Sequence, residues 1–179
     1  MVFEPEYRRV TMRVLLLLAA LCATGQALDN GAALTPPMGW NSWNHFGGGV
    51  SSQIMRDTAS RLVDLGLAKV GYVHVNSDDC WLNRNRSADG SMVPTDKFGG
   101  SAGMLNLSNH LHSMGLKFGL YGAAGETTCA SRAGGLYHEA ADARQLAGWN
   151  VDYLKYDDCG EVNIQSYAKF MAMRGAFFV

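Results

Sequence analysis

Apolar positions along the chain switch repeatedly between two periods. Ile54, Ala59, Leu62, Val63 and Leu65 recur near helical spacing, and Ser51 or Ser52 can cap the run. A helix is therefore predicted to about Leu67, with Gly66 as an internal glycine near its end. Tyr72 to Ser77 mixes β-branched and aromatic residues and predicts a strand. Met104, Leu105, Leu107, Leu111 and Met114 make a second helical face, stopped by Gly115. Lys117 to Tyr121 predicts another strand, Tyr137 to about Trp149 a third helix, and Val151 to Leu154 a further strand. Val162 to about Met173 predicts a fourth, shorter helix, and Gly175 to Val179 either the start of a fifth strand or a tail. Before all of these, Pro36-Pro37 marks an extended entry, and the aromatic- and amide-rich stretch Met38 to Phe46 fits a strand end opening into a pocket.

This β-α-β-α rhythm is the grammar of a parallel sheet, either a barrel or an open doubly wound sheet. Polar and aromatic residues gather at the carboxyl ends of the strands, where such folds place their ligands, and a barrel fits that distribution best. No G-x-G-x-x-G or P-loop follows any strand, which argues against nucleotide binding. The long connection from Leu82 to Ser101 is rich in Asn, Asp, Gly and Pro, and long connections in compact domains are often functional.

Two strand ends carry the candidate chemistry. One runs into Asp78-Asp79-Cys80-Trp81, the other into Lys155-Tyr156-Asp157-Asp158-Cys159. Either alone also fits a solvated turn; two in one chain are harder to dismiss. Lys155 lies two residues before Asp157, so both project from the same side of a strand, and a cation there would favour an ionised Asp157. Reading Asp78, Asp79, Asp157 and Asp158 as hard ligands of a metal-dependent hydrolase finds no further ligand motif in support. The cysteine spacings are not those of a zinc site, so neither a metal nor a cofactor is expected. The five histidines are scattered, and Trp40 and Trp81 fit packing as well as binding.

Composition narrows the field. A net charge of −1 shows no basic footprint for nucleic acid, and 47% hydrophobic residues among 179 supply a sizeable core. Val14 to Cys22 is a short apolar run preceded by Arg8, Arg9 and Arg13 and followed by small residues at Gly25-Gln26-Ala27. This has the form of a secretory signal peptide over residues 1–27, with translation starting at Met1 or at Met12. The run is short for a stable membrane span, which leaves an uncleaved anchor as the weaker alternative. Asn85-Arg86-Ser87 and Asn106-Leu107-Ser108 are glycosylation sequons. With Cys22 removed, Cys80, Cys129 and Cys159 remain in an oxidising compartment, and one pair plus one free thiol is the simplest outcome.

Thr35-Pro36-Pro37-Met38-Gly39-Trp40-Asn41-Ser42-Trp43, preceded by Leu28-Asp29-Asn30-Gly31 and followed in order by Asp78-Asp79-Cys80-Trp81 and Leu154-Lys155-Tyr156-Asp157, resembles the α-galactosidases of the melibiase family. The resemblance runs from Leu28 to about Met173. It implies a secreted, vacuolar or lysosomal retaining glycosidase that removes terminal α-linked galactose, built on a (β/α)8 TIM barrel, with residues 28–179 as the N-terminal half of that barrel. By resemblance Asp157 is the catalytic nucleophile, and Lys155, Asp78 and Asp79 contact sugar hydroxyls. Trp43 and Tyr121 form aromatic walls, and Cys129 pairs with Cys159 in a disulfide bordering the sugar. The full-length family also suggests a homodimer.

The departures from the family pattern carry equal weight. Only the first four β-α units of an incomplete barrel are expected, and the family's acid/base aspartate, on a later strand, has no counterpart here. Ala123 replaces an aspartate usual near its strand end, and the family's partner for Cys80 falls at Gly48, so Cys80 is expected to be unpaired. The chain is accordingly expected to be an inactive fragment of an α-galactosidase. The alternatives are the α-N-acetylgalactosaminidase specificity of the same family and a non-catalytic galactose-binding fragment.

Overall fold

A computed structural model describes residues 34–160 and 162–177. The expected signal peptide, both candidate start methionines, the Leu28–Gly31 part of the first motif, and Phe178-Val179 lie outside them. The chain divides into the units Met1–Pro36 and Pro37–Val179, and the fold is that of the second.

Four strands, β1 (Gly39–Asn41), β2 (His74–Ser77), β3 (Lys117–Ala123) and β4 (Tyr153–Asp157), form one sheet in the order β1-β2-β3-β4. Every pairing is parallel. Between and after them run the helices α1 (Trp43–Phe46), α2 (Ser52–Asp64), α3 (Gly100–Ser113), α4 (Glu139–Gly148) and α5 (Ser166–Ala176). This is an incomplete (β/α) barrel, as the β-α rhythm predicts.

The sheet sorts its residues by alternation. Val75 on β2 and Phe118 and Leu120 on β3 are fully buried and share a core with Met55 and Ala59 of α2 and Met104, Leu107 and Leu111 of α3. The intervening positions carry polar or aromatic side chains: His74 and Asn76, then Tyr121, then Tyr153, Lys155 and Asp157. Burying each large apolar side chain is worth about 1.5–3 kcal/mol, so the helix-facing side holds the fold while the other face is free for polar groups. Trp81 belongs to the core: it is 1% exposed, meets Trp149 edge-on, and donates its indole N–H to the carbonyl of Tyr121 at 2.8 Å.

Several boundaries differ from the sequence expectations for local reasons. Ser51, not Ser52, caps α2, its hydroxyl accepting from the Ile54 amide at 3.2 Å. That helix ends at Asp64, so Gly66, with φ of 74°, lies beyond its end rather than inside it. Tyr137 has φ of 63°, a left-handed conformation that no α-helix contains, and α4 starts two residues later. Val162 to Gln165 are not helical; α5 begins at Ser166 and continues to Ala176, which rules out a fifth strand at Gly175-Ala176. The 82–101 connection is more ordered than its composition suggests. Leu82 bridges Pro94 antiparallel, Thr95 donates to the Trp81 carbonyl at 2.8 Å, and a 3-10 turn spans Asp96–Phe98. No helix among the described residues is long and apolar enough to cross a membrane.

Candidate active site

The carboxyl ends of β2, β3 and β4 converge on one cluster. Tyr121 of β3 stands beside Lys155 of β4 in register, and Ala123 beside Asp157. The Lys155 ammonium lies 5.0 Å from the centre of the Tyr121 ring and reaches Asp78 Oδ2 at 2.7 Å. An ion pair therefore links the end of β4 to the end of β2, crossing the aromatic face of β3 between them. Lys155 projects from the same side of β4 as Asp157, and its ammonium pairs with Asp78. The sequence argument identified the correct side of the strand but not which of two carboxylates the flexible lysine would choose.

Asp157 has other partners. The Tyr121 hydroxyl donates to its Oδ2 at 3.1 Å, and the Asp158 amide donates to its Oδ1 at 2.9 Å. One donor on each oxygen fixes the carboxylate plane. Tyr121 keeps its proton for this purpose: burial pushes its pKa well above the ordinary phenol value, and the charges of Asp157 and Asp79 push it further. Cys129 and Cys159 form the expected disulfide, with Cα atoms 5.0 Å apart, and the Cys129 sulfur lies 3.4 Å from Asp157 Oδ2. A disulfide sulfur carries no hydrogen, so this is a contact, not a donated bond. The three groups Cys129, Asp157 and Cys159 are close enough to suggest a metal site. With both sulfurs in the disulfide there is no thiolate to act as ligand.

The two neighbouring aspartates have different surroundings, and both are only 2% exposed. The Asp78 amide donates to the Ser42 hydroxyl at 2.9 Å, which fastens the end of β2 to the start of the segment after β1. One Asp78 oxygen takes Lys155, and the other accepts from the Asp79 amide at 2.9 Å. Asp79 accepts the Cys80 amide at 2.6 Å and the Thr128 hydroxyl at 2.9 Å on one oxygen, and the Ala130 amide at 2.8 Å on the other. Its carboxylate thus holds both residues flanking Cys129. Sequence reasoning singled out neither Ser42 nor Thr128; a serine inside an aromatic motif and a threonine beside a cysteine gave no separate signal.

Trp43 lies on α1 and is 42% exposed, and its amide donates to Asn41 Oδ1 at 3.0 Å. Among the described contacts none joins its ring to the cluster. Cys80 is a free, buried cysteine, as expected, and a Cβ placed on Gly48 would stand 3.2 Å from its sulfur. Asp158 points away from Asp157 and pairs with Lys169 of α5, a lysine only 6% exposed. That ammonium, and then the Ser166 hydroxyl, hold the Asp158 carboxyl below the usual range. A second buried pair lies behind the site, where Arg86 grips Asp142 through two bonds of 2.6 and 2.7 Å.

Comparison with known proteins agrees with this geometry. A family model described as alpha galactosidase A matches residues 35–177. An alpha-galactosidase of Cyamopsis tetragonoloba is 46% identical over 146 residues, which are 81% of this chain and 35% of that protein. The crystal structure of alpha-galactosidase I from Mortierella vinacea superposes with a TM-score of 0.80 at 37% identity, covering 84% of this chain and 39% of that one. A Saccharomyces cerevisiae alpha-galactosidase solved with raffinose gives a TM-score of 0.79 at 42% identity, over 83% and 34% of the two chains. This chain therefore spans little more than a third of the length of the relatives it matches. A family-model match across residues 35–177, together with relatives that are 46% identical over most of this chain and solved structures that share its fold, shows that the chain belongs to the melibiase family of alpha-galactosidases.

Proposed function

We propose that this chain carries the nucleophile and the sugar-hydroxyl side of a retaining α-galactosidase site. The observation that supports this is Asp157 at the carboxyl end of β4, with one donor on each carboxylate oxygen, one of them the hydroxyl of Tyr121, whose ring lies under the Lys155 ammonium. In such a site the Asp157 carboxylate attacks the anomeric carbon of an α-galactoside. The C–O bond to the leaving group breaks as a bond to Asp157 forms, and water then releases the sugar. Lys155 and Asp78 offer a donor and acceptors for hydroxyls on one side of the ring, and the Tyr121 ring offers an apolar surface for its C–H face.

A retaining mechanism also needs a second carboxyl about 5–5.5 Å from the first, protonated as the leaving group departs. Among the described residues, the carboxyls nearest the cluster are already committed. Asp78 is ion-paired, Asp79 is held by three donors, and Asp158 is tied to α5. We infer that the acid/base comes from outside these residues and that the 179-residue chain alone does not turn over unactivated galactosides. Incubating the purified chain with an aryl α-galactoside of poor leaving ability tests this. No product above background is expected, and turnover that disappears in Asp157→Asn would show that a resident acid has been overlooked.

Residues 1–27 are proposed as a secretory signal peptide that directs the product to the cell exterior, the vacuole or the lysosome as a glycoprotein. The disulfide agrees with an oxidising destination.

A further inference from the structure

Two sequons run through the described residues, and the structure treats them differently. Asn106 lies inside α3, its side-chain oxygen accepts from the Arg56 guanidinium at 2.7 Å, and the hydroxyl of its Ser108 is fully buried and donates to the Asn150 carbonyl at 3.0 Å. Asn85 lies outside any helix or strand, is exposed, and has no hydrogen-bond partner for its side-chain amide among the described residues. The residues around it are firmly held. Arg86 donates to the carbonyls of Gly90 at 2.9 Å and Gly134 at 2.6 Å besides its pair with Asp142, and the Ser87 amide donates to the Ser91 carbonyl at 3.1 Å. A rigid loop thus presents one unpaired asparagine to solvent.

Asn85 also sits on the rim of a groove of about 400 Å³, lined with Arg84, Glu126, Leu136, Tyr137 and His138. Tyr137 is 78% exposed, more than Tyr167 or Phe177, and the left-handed backbone at that residue holds it there. A large exposed aromatic ring beside an unpaired sequon asparagine suits the C–H face of an N-acetylhexosamine, whose amide and hydroxyls can meet Arg84 and Glu126 at the rim.

We propose that Asn85, and not Asn106, carries an N-linked glycan, and that its first N-acetylglucosamine covers the Tyr137 ring. The proposal rests on the secretory assignment above. The Asn85 amide nitrogen bonds to the anomeric carbon of a lipid-diphosphate-linked oligosaccharide. The sugar–diphosphate bond breaks, the lipid diphosphate leaves with the electron pair, and the amide loses one proton. Transfer requires the sequon hydroxyl beside the acceptor amide in a turned, non-helical backbone. The segment 85–87 is non-helical and bends at Asn85, and its Ser87 hydroxyl, bonded to Asp89 and to the Ser91 carbonyl, has to turn back toward Asn85 for transfer; helix formation at 106–108 removes such a backbone altogether.

The test expresses the whole chain in a eukaryotic secretory host, once with its own residues 1–27 and once with a strong secretion leader in their place. Intact mass and digestion with peptide N-glycosidase are read for the parent, Asn85→Gln, Ser87→Ala and Asn106→Gln. One glycan is expected. It should be lost in the first two variants and kept in the third, with Asn85 converted to Asp on release. An unmodified product behind the strong leader, a second glycan, or a shift that survives Asn85→Gln overturns the proposal. An unmodified product behind the native leader alone overturns the signal-peptide assignment and leaves Asn85 standing. Chymotrypsin cleavage after Tyr137 should be at least several-fold faster once the glycan is removed; equal rates would overturn the covering role.

Discussion

Gly48 shows how far a single residue can reshape the neighbourhood of the site. A side chain built there would place its Cβ 3.2 Å from the Cys80 sulfur and 3.7 Å from the Cys80 Cβ, within the range that disulfides occupy. Gly48 is not in the left-handed region, so cysteine fits its backbone. Gly48→Cys should therefore close a bridge to Cys80 around a loop of roughly 30 residues, adding about 3–4 kcal/mol in the chain-entropy model. Thiol titration of the chain without residues 1–27, which carry Cys22, should find no free cysteine and the urea midpoint should rise; an alkylatable Cys80 under oxidising conditions would contradict the geometry. Asp79 gives a second prediction at this scale. Its carboxylate accepts from Cys80, Thr128 and Ala130, so it latches the turn that carries Cys129. Asp79→Asn replaces one acceptor oxygen with an NH2 group that repels an amide N–H. Faster exchange at the Ala130 amide and several-fold faster reduction of Cys129–Cys159 by dithiothreitol are expected, with the β2 and β3 amides unchanged. Uniform loss of protection across the sheet would mean general destabilisation instead. The pattern Asp-Asp-Cys marked this place in the sequence, but adjacent aspartates look alike there. Only the fold separates the one facing Lys155 from the one facing the 128–130 turn.

At the scale of elements, the link between β4 and α5 depends on one charge pair. Asp158 follows the end of β4, and Lys169, in the first turn of α5, is almost fully buried against it. Because Lys169 and Ser166 depress the folded-state pKa of Asp158, the contribution of this link is present above the ordinary carboxylate range, near 4. It is lost as pH falls through the depressed folded value. Amide exchange in α5, corrected for intrinsic rates, should accelerate between pH 5 and pH 2, and Asp158→Asn should already show the accelerated rate at pH 5. A pH-independent α5 would remove the charge pair from the account. Elements as such were largely legible. The apolar period of α2, the β-branched run of β2 and the glycine after α3 each placed an element to within a few residues. Their ends were less so: the start of α4 depends on the positive φ of Tyr137, and the start of α5 on an irregular segment, Val162 to Gln165, whose apolar residues imitate a helical face.

Among the described residues, four parallel strands form one sheet with β1 and β4 at its edges, and neither outer edge is paired. β3, between two neighbours, is mostly buried, whereas every residue of β4 is partly exposed, Asp157 included. The strand that bears the proposed nucleophile is thus less enclosed than β2 and β3, the inner strands of the sheet. That a barrel was meant was legible from the β-α rhythm, and the disulfide and the cluster at the strand ends from resemblance to the melibiases. The Lys155–Asp78 pair was not, because it joins side chains 77 positions apart. On the proposed function, Asp157 is a competent nucleophile in a chain whose described residues supply no free acid. A fluorinated α-galactosyl fluoride tests it most directly, since fluoride leaves without a proton donor and the sugar stays on the carboxylate. Peptide mass mapping should find a single glycosyl adduct, on Asp157, absent in Asp157→Asn. No adduct, or an adduct on Asp78 or Asp79, would contradict the account.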